Sequence, residues 1–314
     1  FDLNIPSSVA SGLWSAPGTW DTGHVPLAGE AVFIATGHTV TLDTDSANLG
    51  LLVIGGTLTI GNNATPRTLN AVGGITILSG GVMTSSAGAS HQIMIGGHWT
   101  NGGTFTANTS AVTFDGNSPQ TLIGGTTFNL LTINNNAGAT ITSGSSTTTI
   151  IVSSTLTLAN GPLAVGANCT LAMNSALALV GGSLSSTSSG TVNYNQSSSG
   201  QVVAAINYGN LTFSSFNKTL PAVTLNIAGT FNAGTATGHT VTGNTLNFNG
   251  ISAQTINGAF TFNNLTINNG TGVNLGGNET VGGTLTLASG TLGVGTNTLI
   301  LCGRSPHRFS FSSF

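Results

Sequence analysis

One phrase occurs three times in this chain, and that repetition constrains the fold more than any other feature. Residues 128–135 read FNLLTINN, 208–215 read YGNLTFSS and 262–269 read FNNLTINN. A second segment precedes each copy: Val112-Thr113-Phe114-Asp115-Gly116, Val192-Asn193-Tyr194-Asn195 and Leu246-Asn247-Phe248-Asn249-Gly250. The lead-ins are offset by 80 (194 − 114) and 54 (248 − 194), and the phrases by the same amounts (208 − 128 and 262 − 208). Two segments that keep one spacing in three places are an internal repeat, and repeats decide architecture first.

Each repeat alternates. In Leu265-Thr266-Ile267 the apolar side chains face one way and Thr the other, the period of two of a half-buried strand. The pattern recurs at 57–60, 155–158 and 284–287, with Gly and Asn between the strands, residues that enter turn conformations at least cost. Thr266 to Thr284 and Thr212 to Thr230 are both 18 residues, which predicts coils of about that length stacking about 4.8 Å apart. A string of small β-sandwiches is the alternative. Each unit is too short and too poor in aromatics to close its own core, whereas solenoid coils share one. The expected fold is all-β, a right-handed parallel β-helix (β-solenoid) with an N-terminal cap. The expected divisions are an arm at 1–12, a cap with first coils at 13–60, a solenoid at 61–302 and a C-terminal arm at 303–314. Within the solenoid the repeats run at about 112–191, 192–245 and 246–302, and the extra residues near 145–150 are expected at a corner.

Charged residues are only 4% of the 314, so the outward faces must be Thr, Ser and Asn. Such a surface does little to keep copies of the molecule apart. Four basic residues, Arg67, Lys218, Arg304 and Arg308, cannot build a phosphate-binding footprint, which argues against nucleic acid. No apolar run reaches the ~18 residues of a membrane helix. A start at Phe1 rather than Met predicts a processed form that has lost a signal peptide. Cys169 and Cys302 lie 133 apart in sequence (302 − 169), about seven coils, too far for a bridge within the chain. An intermolecular disulfide is left open.

The N-terminal portion has its own texture: Trp14 and Trp20 bracket Ser-Ala-Pro-Gly-Thr, followed by Gly23-His24-Val25-Pro26 and two alternating strands. From 14 to 60 it resembles an extracellular glycine-rich module named for its eight glycines. From His98 to about Leu301 the chain resembles bacterial secreted β-strand-repeat proteins, through WTNGGTFTA, VTFDG and FNNLTIN. These resemblances imply a β-helix, a place on surface proteins, adhesins or extracellular filaments, and no catalytic residues. Independently, a first coil exposes apolar core and unpaired strand edge, so Trp14 and Trp20 suit a cap. The other use of such rings is stacking on sugar.

Chemistry is sparse. Enzymes on β-helices that cleave acidic polysaccharides need clustered carboxylates and nearby bases. Of the acids only Asp43 and Asp45 are neighbours, expected to share a strand face, and a solvated turn suits them better than calcium. No pair of His has zinc-site spacing. No catalytic, cofactor-binding or metal residue is assigned. Thr-x-Thr runs suggest an ice-binding solenoid, but Thr57/Thr59, Thr155/Thr157 and Thr284/Thr286 are separated by coils that match them poorly.

The leading expectation is therefore a secreted, non-enzymatic subunit of an extracellular filament or surface layer that assembles head to tail with copies of itself. Phe1, Leu3 and Ile5 at one end, and Phe309, Phe311 and Phe314 at the other, alternate as strands that would dock on a neighbour. The alternatives are a carbohydrate-binding adhesin module using Trp14, Trp20 or Trp99, and a polysaccharide-degrading β-helix enzyme.

Overall fold

A computed structural model describes residues 5–62, 65–144 and 146–303. Its elements are short β-strands and one 3₁₀ turn, Pro17–Thr19, with no α-helix among the described residues. The chain divides into two compact units, Phe1–Ser185 and Ser186–Phe314.

In the first unit every coil contributes three strands. Gly74–Ile77, Val82–Ser85 and Gln92–Ile95 form one coil; His98–Asn101, Thr104–Thr106 and Ala111–Phe114 form the next. The strands of these two coils pair in parallel, as in Ile75↔Trp99, Met83↔Phe105 and Ile93↔Val112. The advance in sequence differs by face: 24 (99 − 75), 22 (105 − 83) and 19 (112 − 93). Corner lengths vary while register holds, because register is fixed by which side chains must point inward. Those inward residues, such as Ile75, Met83, Ile93, Trp99 and Val112, are fully buried. This is the expected β-solenoid.

One face of this unit is a five-stranded sheet. It runs from Gly12–Leu13 through Thr39–Leu42, Thr57–Ile60 and Val82–Ser85 to Thr104–Thr106. Inward it carries Val40, Leu58 and Met83, with Phe105 nearly buried. Outward it carries two columns in register. One is Thr39, Thr57, Val82, Thr104; the other is Thr41, Thr59, Thr84, Thr106. Thr39/Thr41 thus stacks on Thr57/Thr59, and Thr104/Thr106 follows across Val82/Thr84, while Thr155/Thr157 and Thr284/Thr286 belong to other coils, as the sequence suggested. The steps between coils are unequal, 58 − 40 = 18, 83 − 58 = 25 and 105 − 83 = 22, and conceal the match from any search at one fixed period.

The second unit follows the same plan. Its four-stranded sheet stacks Leu225, Leu246, Leu265 and Leu285 in one inward column. Thr266 pairs with Thr286 and Thr212 with Asn232, an advance of 20 rather than the expected 18. The residues 18 positions on, Thr284 and Thr230, sit at the preceding corner. Their N–H groups donate to Asn264 Oδ1 at 2.9 Å and Asn210 Oδ1 at 2.7 Å.

The repeated lead-in proves to be a corner clamp. In Val112-Thr113-Phe114-Asp115-Gly116 the phenyl ring enters the core and the chain turns at Gly116. Buried Gln120 then folds back. Its amide donates to Ile95 O (2.7 Å) and Gly97 O (2.6 Å), and its oxygen accepts from Gly116 N and Asn135 Nδ2. The second unit repeats the clamp at Gln254, which donates to Ile227 O and Gly229 O and accepts from Gly250 N and Asn269 Nδ2. The glutamine, the corner glycine and the asparagine shift by one offset from the first unit to the second (254 − 120, 250 − 116 and 269 − 135 are each 134), and the two carbonyls by 132 (227 − 95 and 229 − 97), so the hydrogen-bond pattern recurs across a corner two residues longer. A Cβ on Gly116 would run into the backbone carbonyl of Gly96 and lie 2.9 Å from Gln120 Cδ, so glycine is required at that approach. Phe128 pairs with Val152, an advance of 24 (152 − 128), whereas Phe262 pairs with Val281, an advance of 19 (281 − 262). The excess of five (24 − 19) precedes the strand Thr148–Val152, at a corner as expected.

Candidate functional site

The residues marked out for function fall into three groups: the aromatic first end, the ionisable side chains and the surface clefts. Trp14 and Trp20 follow the short edge strand Gly12–Leu13 and are both buried, 0% and 2% exposed. Their rings meet edge-on with centroids 4.9 Å apart, and Trp20 Nε1–H donates to Trp14 O at 2.9 Å. Trp99 is 0% exposed too, with its indole N–H donating to Thr126 Oγ1 at 3.0 Å. None of the three presents a face on which a sugar can stack, so the stacking role considered for them is excluded.

The N-terminal stretch carries Phe1, Leu3 and Ile5, expected to dock on a neighbour. Phe33 N donates to Pro6 O at 2.9 Å and Ser8 N to Phe33 O at 3.0 Å, and Ser8 also bridges to Trp20. Residues 6–8 are thus part of the first coil. Of the proposed assembly residues, Ile5 is described and 48% exposed. Phe1, Leu3, Phe309, Phe311 and Phe314 lie outside the described residues.

Asp43 and Asp45 do not share a strand face; both follow the strand that ends at Leu42. Asp43 accepts from Ser15 N at 3.0 Å and Ser15 Oγ at 2.6 Å. Partial burial alone would raise its pKa, but these hydrogen bonds hold it below the usual value. Asp45 accepts from Thr68 N at 2.8 Å. Each carboxylate thus ties one coil to another.

The imidazoles of buried His91 and half-buried His239 act likewise. His91 Nδ1 accepts from Arg67 N at 3.0 Å, leaving Nε2–H to donate to Ser86 Oγ at 2.8 Å. Burial, and then Arg67, lower its pKa and keep it neutral. In the second unit His239 Nδ1 accepts from Lys218 N, and its ring lies among Phe213 and Phe260 at 5.3 and 5.1 Å. Sequence reasoning did not single out Lys218 or Glu279. Both are buried, and each leaves a polar atom, Nζ and Oε1 respectively, without a partner. Burial lowers the Lys218 pKa and raises that of Glu279 to about 8, although Phe260 N–H donates to Glu279 Oε2. Both face the solenoid core, where no substrate reaches them. Their one sequence signal is a charged residue on an inward position of an alternating strand.

Two clefts of about 270 and 350 Å³ flank Phe105, where Thr104–Thr106 and Thr126–Phe128 approach without pairing. Threonine, asparagine and apolar groups line them, with no ionisable side chain. A third, of about 260 Å³, gathers Asn117, Asn134, Asn136 and Asn160 around one carboxylate, Asp115. Burial raises the Asp115 pKa, but no second acid or base stands opposite it. No group of three or more metal-ligating His, Cys, Asp or Glu side chains occurs among the described residues. Cys169 is buried, Cys302 is exposed, and both are free. No helix among the described residues is long and apolar enough to cross a membrane.

The coils that carry the paired threonines have a relative. Residues 19–122 match the G8 domain family. The match begins after Trp14, overlaps the stretch at 14–60 that resembled a glycine-rich extracellular module, and ends just past the Gln120 clamp. No curated protein and no solved structure matches the chain. The G8-like segment thus covers the five-stranded sheet from its second strand onward.

Proposed function

We propose that this chain is a non-enzymatic structural module of a secreted surface or filament protein, a subunit that stacks end to end with copies of itself. The observation that carries this reading is what the ionisable groups do. Asp43, Asp45, His91 and His239 are spent on hydrogen bonds that hold successive coils together, and the outward columns of the sheets carry Thr and Asn. A hydrolase needs a positioned acid and base facing substrate, and the cleft that holds Asp115 supplies no partner for it. The likeness to secreted bacterial repeat proteins points the same way.

Sedimentation of the full chain against forms lacking residues 1–4 or 304–314 tests this. The full chain is expected to self-associate and at least one truncation to give a folded, β-rich monomer. A full chain that stays monomeric at high concentration, or two truncated forms that both assemble unchanged, would contradict it.

A further inference from the structure

The two outward columns on the five-stranded face of the first unit have three properties that together specify a ligand. First, they are regular in both directions. Successive coils lie about 4.8 Å apart and residues two positions apart on a strand about 6.6 Å apart, so Thr39/Thr41, Thr57/Thr59, Val82/Thr84 and Thr104/Thr106 mark out a rectangular lattice. Second, their hydroxyls are uncommitted. Among these seven threonines only Thr84 donates within the chain, to Ser85 O at 3.4 Å. Third, the lattice has no charge and no aromatic ring. Each threonine offers one methyl, which orders water around itself, and one hydroxyl, which anchors that water.

The second unit provides the internal contrast. Its outward columns read Thr224, Thr245, Asn264 and Asn226, Asn247, Thr266, Thr286. There the amides bond to each other: Asn247 Nδ2 donates to Asn226 Oδ1 at 2.7 Å, and Asn226 Nδ2 to Asn207 Oδ1 at 2.8 Å. There the amides are tied to one another along the stack, with Asn247 Oδ1 alone of those amide oxygens left without a partner, whereas the threonine hydroxyls of 39–106 form no such ladder.

We infer that the threonine face of 39–106 binds the surface of crystalline ice. A repeat of about 4.8 by 6.6 Å, common to parallel sheets, is of the same scale as the oxygen repeats on a prism face of hexagonal ice, and here it is filled by hydroxyls that the chain leaves free. Water held by methyls and hydroxyls on that lattice is already placed as the first ice layer. A charged face would hold its own liquid-like shell instead. A crystalline polysaccharide shares the two-dimensional periodicity, but glycan surfaces are gripped by stacking on exposed aromatic rings, and this face has none.

Freezing hysteresis and partition into a slowly growing ice hemisphere test the inference on the full chain. The wild type is expected to enter the ice and to depress freezing below melting in proportion to its concentration. Thr59→Tyr, at the centre of the lattice, and Thr106→Tyr, on its last strand, are expected to lose that activity at least tenfold, with far-UV circular dichroism unchanged. Thr266→Tyr, outward on the second unit, is expected to keep it. A wild type excluded from ice overturns the inference, as does an active Thr59→Tyr or equal loss in Thr266→Tyr. Adsorption to microcrystalline cellulose or chitin, lost in Thr59→Tyr and without any effect on ice, assigns a different occupant and also overturns it.

Discussion

The sheet at 39–106 and the sheet at 224–289 answer one packing problem with the same inward residues and opposite outward ones. Inward, both stack aliphatic side chains in register, Val40 on Leu58 in the first and Leu225 on Leu246 on Leu265 in the second. Outward, the first leaves threonine hydroxyls to the solvent while the second links asparagine amides along the stack. A shared core therefore fixes one face of a solenoid strand and leaves the other to carry whatever the unit is for. The cores differ as well. Trp99 and Thr126 form a hydrogen-bonded pair in the first unit; at the matching positions the second has Phe231 and Phe260, with rings 5.1 Å apart. The tryptophan N–H needs an acceptor when buried, and the Phe pair does not.

The comparison breaks most readily in that aromatic layer. Phe260→Ala is expected to cost about 3–5 kcal/mol, since a fully packed ring leaves a cavity. Denaturant unfolding followed by far-UV circular dichroism reads this, and a cost below about 1 kcal/mol would mean that the layer is not packed.

Glu279 gives the next largest effect, and one with a pH signature. Its native pKa, about 8, lies above its ordinary 4.5. Between those values the unfolded chain has released a proton that the folded one retains, so stability is fully present below about 4.5 and falls as pH rises towards 8. The loss is on the order of 3–5 kcal/mol. Glu279→Gln keeps an acceptor for Phe260 N–H and removes the charge. Its melting temperature is therefore expected to exceed the wild type's at pH 8 and to converge with it near pH 4. Parallel profiles would contradict the assignment. His91 and His239 act in the other direction, because their pKa values are lowered and stability falls as they charge in acid.

The clamps sharpen the likeness of the two units. Gln120→Ala and Gln254→Ala are each expected to cost about 1–3 kcal/mol, by leaving buried donors and acceptors unpaired. Unequal costs would show that the two corners are not equivalent. Smallest is Asn247→Thr, which interrupts the amide ladder at an outward position. A cost of about 0.5–1 kcal/mol is expected by differential scanning calorimetry, the worth of one surface hydrogen bond.

The solenoid was legible because alternation and repetition survive any change of corner length. Leu265-Thr266-Ile267 reads as a strand with its apolar side inward, and it is one. Register was not legible. The spacing from Thr266 to Thr284 marks a corner asparagine's partner, not the strand partner, which is Thr286. The same limitation hid the threonine lattice, since its unequal steps from coil to coil cannot be read without knowing which residues form the corners. The tryptophans were legible as large apolar groups near an edge strand. Their burial, which removes them as sugar platforms, was not, and the acceptors that Thr126 and the Trp14 carbonyl supply to Trp99 and Trp20 come from outside the strand pattern, while the Trp14 indole N–H has none.

Electron microscopy of the purified full chain at high concentration tests most directly whether these units exist to be stacked. The account predicts linear assemblies that disappear when residues 304–314 are removed, with the β content of the chain retained. Discrete single particles at every concentration, with no linear species, would contradict it.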